Sequence, residues 1–398
     1  EQKQAIYEAL TSQVLVITGG PGTGKTTIIK AIIDVYQHIH HYDTKTLMTK
    51  LALLAPTGRA SKRMGEVASL QASTIHRFLK WNKDTNRFQL NEYHRSEAEF
   101  VIIDESSMVD TLLLANLLRG LSVHCRVIFV GDADQLPSVG AGNLLEDIIQ
   151  SETLSVIALQ NIYRQGSGSH IISLAHAIKE GNIPADLWQE KDDLAFIECQ
   201  DQEILSTLEK SILQFDPDTV QILVPMYKSA IGIDTINQHL QELLNPKTVT
   251  KKELTTNEVV FREQDKVIQL TNVPDDNVFN GDIGQIDRIM TVKKKELWVD
   301  FDGNIVHYTP AMLTTLRHAY AISIHKSQGS EFPVVIMPIS MVYQKMLYRK
   351  LIYTGVTRAK KQLILIGNKK ALDFAIHRHI DQQRRTSLQH FLKNGILF

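Results

Sequence analysis

The stretch "VLVITGGPGTGKTTIIKAII" constrains this chain more than any other. Its β-branched opening, Val14 to Thr18, reads as a buried strand, and the apolar spacing after Lys25 reads as a helix. Between them Gly19, Gly20, Pro21, Gly22, Thr23, Gly24, Lys25, Thr26 and Thr27 form a phosphate loop, with Gly19, Gly24, Lys25 and Thr26 at its defining places. Glycines let backbone N–H groups turn inward around phosphates, and the helix N-terminus adds its dipole. Lys25 is placed to reach the β- and γ-phosphates of ATP, and the Thr26 hydroxyl to ligate Mg²⁺.

A second apolar strand, Phe100 to Ile103, delivers Asp104 and Glu105 at its C-terminal end. That suits a parallel sheet with a site at that edge. Asp104 is the candidate to hold Mg²⁺ through its water shell, and Glu105 to orient and deprotonate an attacking water. A solvated strand end is the bland alternative. A third strand, in "CRVIFVGDADQLPSVGAGN", ends in Gly131–Asp132. Gln135 lies just beyond it, where a polar amide can sense whether a γ-phosphate is present; otherwise it is an ordinary loop residue.

At 398 residues the chain exceeds a typical domain of ~100–200, so two or more core units are expected. A net charge of −1 argues against coating nucleic acid by bulk charge and leaves room for a basic groove on a neutral body. No apolar run approaches the roughly 20 residues needed to cross a bilayer, and no secretory signal is visible. Cys125 and Cys199 cannot make a disulfide framework and read as buried thiols in a reducing cytoplasm. The phosphate loop follows Glu1 almost at once, as in a piece trimmed from something longer.

The segments "GGPGTGKTT", "APTGRASKRM", "TIHRFL", "VIIDESSMVD", "GDADQLPSVGAGN", "IYRQ", "AISIHKSQGSEF" and "YTGVTRAK" occur in that order. Together they resemble the motif series of superfamily 1 helicases, in particular the RecD-like branch, and the resemblance covers nearly the whole chain. It implies an α/β fold: two RecA-like P-loop NTPase domains, a short pin insertion and an inserted small SH3-like β-barrel. It also implies ATP hydrolysis in a cleft between the domains and translocation along single-stranded DNA, 5′ to 3′. By the same resemblance Gln2 reads the adenine edge, Tyr163 stacks on the base, and Arg164 and Arg358 are arginine fingers. Gln328 and Gly329 lie on the nucleotide side, with Glu331 near the ribose or metal-bound waters. Taken alone, "YTGVTRAKK" (Tyr353 to Lys361) is too polar and too rich in Gly and Thr for a core helix and reads as a small-residue turn.

Hydroxyls, amides and single basic groups can hold phosphates without reading sequence. The family pattern points to Pro56, Thr57, Arg59, Thr74 and His76 in the first half, and to Tyr227, Lys228, His325 and Ser327 in the second. Pro56, His76, Tyr227 and His325 can pack on sugars or bases. Thr57, Ser73 and Ser327 could instead cap helices. His38, His40 and His41 read as a polar helix end. Trp81 to Glu97, with Trp81, Phe88, Leu90 and Tyr93 interspersed and a hairpin turn at "NKDTNRF", is the pin-like segment or a solvated connector. From about Asn245 to Tyr308, short alternating strands split by Gly, Asn and Asp read as a small barrel. Asn280 stands in the barrel turn that the family uses over DNA, and Lys293 to Lys295 read as a solvated hairpin end.

These readings place a first motor domain at 1–159, a barrel at 245–310, and a second motor domain at 160–244 and 311–398, with 1–10 and 385–398 least constrained. They point to an ATP- and Mg²⁺-dependent DNA helicase or translocase of repair or recombination. It would be cytoplasmic and monomeric, acting on single-stranded DNA and single-strand/duplex junctions. A DNA-stimulated ATPase that remodels complexes without unwinding could have the same core. A small-molecule P-loop kinase would need neither the ordered DNA motifs nor the barrel. A nuclease is disfavoured, since no compact Asp/Glu/Lys metal cluster is evident beyond the ATP site.

Overall fold

Apolar runs of four to six residues that alternate with amphipathic helices bury both faces of each strand, so they assemble as parallel sheets. The computed structural model describes residues 1–82, 85–161, 169–256, 259–291, 295–378, 384 and 386–395. These form two compact units, residues 1–168 with 380–398, and residues 169–379. No described helix is long and apolar enough to cross a membrane.

The first unit begins with α1 (Gln2–Thr11), β1 (Val14–Gly19), α2 (Lys25–His40), α3 (Thr44–Lys50), β2 (Leu51–Ala55) and α4 (Gly58–Ala68). There follow β3 (Ala72–Thr74), α5 (Ile75–Phe78), a hairpin of β4 (Trp81–Asn82) and β5 (Arg87–Phe88), then β6 (Phe100–Ile103), α6 (Thr111–Gly120), β7 (Arg126–Gly131), α7 (Leu144–Ser151) and β8 (Ser155–Leu159). Its sheet runs β3-β2-β6-β7-β1-β8, all parallel. Alternate residues of one strand feed opposite cores: Leu15 and Ile17 of β1 pack with α1, α2 and α4, while Val16 packs with α6 and α7. The order sets β7 between β1 and β6, so the ends of all three strands lie side by side.

The second unit comprises α8 (His170–Glu180), β9 (Leu194–Glu198), α9 (Ile204–Ile212), β10 (Val220–Val224) and α10 (Ile233–Leu244), then the barrel strands β11 (Glu253–Thr256), β12 (Val259–Arg262), β13 (Lys266–Gln269), β14 (Ile283–Met290), β15 (Glu296–Phe301), β16 (Asn304–Tyr308) and β17 (Leu316–His318). The motor part resumes with β18 (Ala321–Ser323), β19 (Phe332–Ile339), α11 (Arg349–Val356), β20 (Ala359–Gly367) and α12 (Lys369–His377). Its parallel sheet runs β18-β10-β19-β20-β9. The barrel sheet is antiparallel, β16-β15-β14-β13-β17, and Leu297, Val299 and Phe301 of β15 point inward as the period of two requires.

Four expectations change. Residues 1–10 are not loose: they are most of α1, with Ala5 and Ala9 fully buried against α2. The barrel extends past 310, because Leu316–His318 pairs with β13 as an edge strand of its sheet. The units divide after 168 rather than 159, and the C-terminal α13 (Leu388–Asn394) packs Leu388 and Leu392 on the core beside α7. "YTGVTRAKK" opens as helix, with Leu351 to Val356 all buried in α11. Gly355 packs where a Cβ would come 2.5 Å from the methyl of Met337, and Thr354 satisfies its hydroxyl on Lys350 O. Small, internally bonded residues are what a helix pressed against a sheet needs.

Candidate active site and nucleic-acid interface

The phosphate loop leaves β1 at Gly19, where a Cβ would sit 2.7 Å from Thr23 Oγ1 and 2.9 Å from Leu159 Cβ. Only glycine fits that approach. Gly24 stands in the left-handed region at φ 84 and begins α2 with no side-chain cap. The first N–H groups of a 16-residue helix therefore lack a side-chain acceptor, and its first turn carries no acidic residue. Lys25 Nζ donates to Gly19 O at 2.6 Å and Gly20 O at 2.9 Å, and Thr23 Oγ1 donates to Gly20 O. Thr26 and Thr27 continue the first turn of α2. Gln2 Nε2 donates to Thr23 O at 3.5 Å, which brings α1 to the loop from the far side of β1. An uncapped helix start, a lysine and no nearby acid in the loop fit an anionic phosphate group.

Asp104 and Glu105 close β6. The Asp104 N–H donates to Leu54 O, and the Glu105 N–H donates to Asp104 Oδ1 at 2.9 Å. Glu105 stands at φ 51, ψ 38, a left-handed conformation that costs a non-glycine residue of order 1–3 kcal/mol. Burial, with Glu105 beside it, pushes the Asp104 carboxyl up to about 6, and the charges of Lys25 and Arg63 oppose the rise. A desolvated Asp104 carboxyl beside the acid of a strained Glu105 is suited to a cation. Beyond β7, Gln135 Nε2 donates to Asp132 Oδ2 at 3.1 Å, while its buried Oε1 meets no donor among the described residues. A buried amide oxygen without a partner is costly, which fits a group that awaits a ligand.

Because its pKa is raised, Asp104 keeps its proton to higher pH in the folded protein than in the unfolded chain. Between the ordinary 3.8 and about 6 the folded state holds a proton that the unfolded state has lost, so this group's contribution falls as pH rises through that window and is fully unfavourable above it. Asp104→Asn should therefore raise the thermal midpoint of the ligand-free protein near pH ~8, with the gain fading toward pH ~4. Equal gains at both pH values would reject this assignment.

The first unit gathers its expected nucleic-acid residues at the ends of β2 and β3, where Ala55 pairs with Thr74. Pro56 follows β2, Thr57 Oγ1 accepts the Ala60 N–H as the cap of α4, and Arg59 lies on that helix's first turn. Thr74, not Ser73, caps α5, accepting from the Arg77 N–H at 3.2 Å. His76 packs at 5.8 Å from Phe88 and 6.4 Å from Trp81, whose rings lie 4.6 Å apart across the hairpin. Burial pushes its imidazole toward the neutral form, against the charge of Asp110. The pin-like segment is thus a two-rung hairpin rooted on His76.

In the second unit Val224 pairs with Ser323, which sets the exposed Tyr227 and Lys228 beside the turn that carries His325 and Ser327. Ser323 caps that turn by accepting from the Lys326 N–H, whereas Ser327 Oγ donates to Ile324 O within it. Asn280, at the barrel tip, accepts from Lys326 Nζ at 2.7 Å. Lys326 is the residue that sequence reasoning passed over, although it lies inside the quoted "HKSQG" run. Only the barrel's return to the motor part reveals it. Burial lowers both the His325 and Lys326 values.

Gln328 is buried, Gly329 stands at φ 73, and Glu331 meets Lys360 at 3.3 Å. Arg358 is 3% exposed: Nε donates to Thr354 O, Nη1 to Ser330 O and Nη2 to Thr357 Oγ1, at 3.0–3.1 Å. Thr357 is the C-cap of α11 and its hydroxyl orients this arginine; no helix follows it, since β20 does. Tyr163, Arg164 and Lys293–Lys294 lie outside the described residues.

Family models match three parts of the chain: an AAA domain at 2–141, an ATP-dependent RecD-like DNA helicase SH3 domain at 236–301, and a UvrD-like helicase C-terminal domain at 318–366. The ATP-dependent RecD2 DNA helicase of Deinococcus radiodurans is 34% identical over 389 residues, which is 98% of this chain and 51% of that one. Over nearly its whole length the chain is similar to RecD-like helicases. It spans about half the length of that Deinococcus relative. The RecBCD enzyme subunit RecD of Mycolicibacterium smegmatis is 29% identical over 95% of this chain and 72% of its own. Among solved structures, Pif1 helicase from Candida albicans superposes with a TM-score of 0.58 at 19% identity over 99% of this chain and 98% of that one. Pif1 from Bacteroides, solved with ADP-AlF3 and single-stranded DNA, superposes with a TM-score of 0.56, again at 19% identity, over 92% and 91%. At that identity the likeness carries the fold, two RecA-like domains with an SH3-like barrel inserted in the second.

Proposed function

We propose that this RecD-like chain is the ATP-hydrolysing motor of a DNA helicase that translocates 5′ to 3′ on single-stranded DNA and acts in repair or recombination. One observation carries the reading: Lys25, the strained Glu105, the desolvated Asp104 and a Gln135 amide oxygen without a donor among the described residues all follow the ends of three adjacent strands of one sheet. Lys25 and the loop from Gly19 to Thr27 hold the phosphates of ATP, and Gln2 reads its base. Thr26 and Asp104 hold Mg²⁺, which when bound neutralises charge on the β- and γ-phosphates. Glu105 takes the proton of the attacking water, Gln135 senses the γ-phosphate, and Arg164 and Arg358 serve as fingers. Tyr163, Gln328, Gly329 and Glu331 complete the nucleotide contacts.

Pro56, Thr57, Arg59, Thr74 and His76, with Tyr227, Lys228, Asn280, His325 and Ser327, form a sequence-independent track for single-stranded DNA and its junction with duplex. The motor is taken to act as a monomer, and two free cysteines accord with a reducing, cytoplasmic setting. The brevity of the hairpin favours a second reading, a DNA-stimulated translocase that remodels complexes without unwinding. Duplexes with 5′ or 3′ tails, supplied with ATP and Mg²⁺, separate the two. Displacement of the 5′-tailed strand supports the helicase, whereas DNA-stimulated hydrolysis without displacement supports the remodeller. Hydrolysis indifferent to DNA would overturn both and leave a P-loop kinase.

A further inference from the structure

Asp265 is fully buried at the point where the barrel leaves and rejoins the motor part of its unit. Its carboxyl group accepts from five directions. Oδ2 takes the Arg262 N–H at 2.6 Å, Gln241 Nε2 at 2.6 Å and His318 Nε2 at 3.2 Å. Oδ1 takes Asn245 Nδ2 at 2.7 Å and Tyr320 OH at 2.9 Å. Gln241 and Asn245 belong to the end of α10, where the chain departs for the barrel. Arg262 belongs to the barrel hairpin. His318 ends β17 and Tyr320 lies in the link between β17 and β18, on which the chain returns. One side chain thus fastens both chain crossings and the barrel itself.

The surroundings are built to the same end. Arg262, itself 3% exposed, pairs with Glu242 of α10 at 2.9 Å and with Glu253 of β11 at 2.8 Å. Lys266 Nζ, next in the chain to Asp265, donates to Val220 O of the motor sheet. From Asp265 the chain runs straight into β13, whose last residue, Gln269, accepts the Gly281 N–H and donates its own N–H to Asp282 O. Those two residues flank the barrel tip, where Asn280 meets Lys326. The strand is a short lever with the buried node at one end and the tip at the other. No hydrophobic packing is required to explain five donors around one carboxyl group. A node that polar costs stability unless it is complete, and its return is a unique orientation of the parts it joins.

We propose that Asp265 is a positioning residue: it locks the inserted barrel to the motor part and thereby holds the Asn280 tip against the Lys326 turn. The inference rests, for its consequence, on the reading that this tip and turn contact single-stranded DNA. Asp265→Asn keeps the shape but turns an amide NH₂ toward groups that themselves donate. In hydrogen exchange on the full chain, amides of residues 277–284 and 316–320 should exchange about tenfold faster, with β1, β19 and β20 unchanged. Tip amides that exchange as in the wild type, or a general loss of protection across the unit, would overturn the lock.

In titrations with oligo-dT the same variant should weaken binding about tenfold while nucleotide affinity holds, and Asn280→Ala should add nothing in its background. Additive losses would overturn the link from node to tip. Faster tip exchange with wild-type oligo-dT binding would keep the lock and reject the DNA reading of the tip. Tyr320→Phe removes one donor at constant volume and should give the same pattern on a smaller scale; if it moves neither readout in the same direction, the proposal fails even should Asp265→Asn not fold.

Discussion

Arg358→Ala should cost about 10³-fold or more in ATP turnover, the range measured for arginine fingers elsewhere, while nucleotide affinity stays within a few-fold. The structure makes this a sharper test than the sequence could. Arg358 is 3% exposed and spends three donors on Thr354 O, Ser330 O and Thr357 Oγ1. A guanidinium held like that could also be a rivet between the end of α11 and the turn before β19. Removing a rivet leaves acceptors buried without donors and costs roughly 1–3 kcal/mol of stability. The two roles part in their readouts. A rivet lowers the thermal midpoint and leaves turnover per folded molecule intact. A finger loses turnover in protein that is still folded at the assay temperature. Arg358→Lys adds a control, since it keeps the charge but cannot reproduce the planar three-way fork.

Lys25→Ala should bring DNA-stimulated hydrolysis down by about 10²–10³-fold, the scale seen when one preorganised charge-stabilising donor is removed. Oligo-dT binding should be nearly unchanged. Lys25 Nζ rests on Gly19 O and Gly20 O, so its loss removes a positive group from the cradle without unfolding a core. The charge of Lys25 also restrains the rise in Asp104's pKa, so the variant should push that carboxyl further up and weaken Mg²⁺ together with ATP. Hydrolysis at the wild-type rate would reject the phosphate-loop assignment, and loss of DNA binding in step with hydrolysis would mean that the variant had damaged the unit rather than the site.

Much of the architecture was legible because it rests on local rules. Val14–Gly19, Phe100–Ile103 and Arg126–Gly131 are short apolar runs that end in glycine or acid, and each became a buried parallel strand. Leu297, Val299 and Phe301 alternate with polar neighbours, and they became the inner face of a barrel strand. The phosphate loop was readable residue by residue because its glycines answer to backbone geometry that no other residue meets. Where sequence reasoning erred, distant contacts had overruled local appearance. "YTGVTRAKK" looked like an exposed turn, yet Gly355 is there so that α11 can press on Met337. Gln2–Thr11 looked like a loose end, yet Ala5 and Ala9 fit a core made by α2.

By itself the sequence determined where the glycine-rich loop and the strand-end carboxylates fall, since strand, loop and helix follow one another within a few residues and answer to local geometry. Only the tertiary structure decided that Gln135 hides an acceptor that meets no donor among the described residues, that Arg358 is enclosed by two carbonyls and a hydroxyl, that Asn280 returns to Lys326, and that Asp265 gathers donors from α10, β12 and the link between β17 and β18. The Arg358–Ser330, Asn280–Lys326 and Asp265–Tyr320 contacts bring residues 28, 46 and 55 positions apart within hydrogen-bond reach. No periodicity or spacing encodes such a meeting; it is settled by how the sheets, helices and barrel pack.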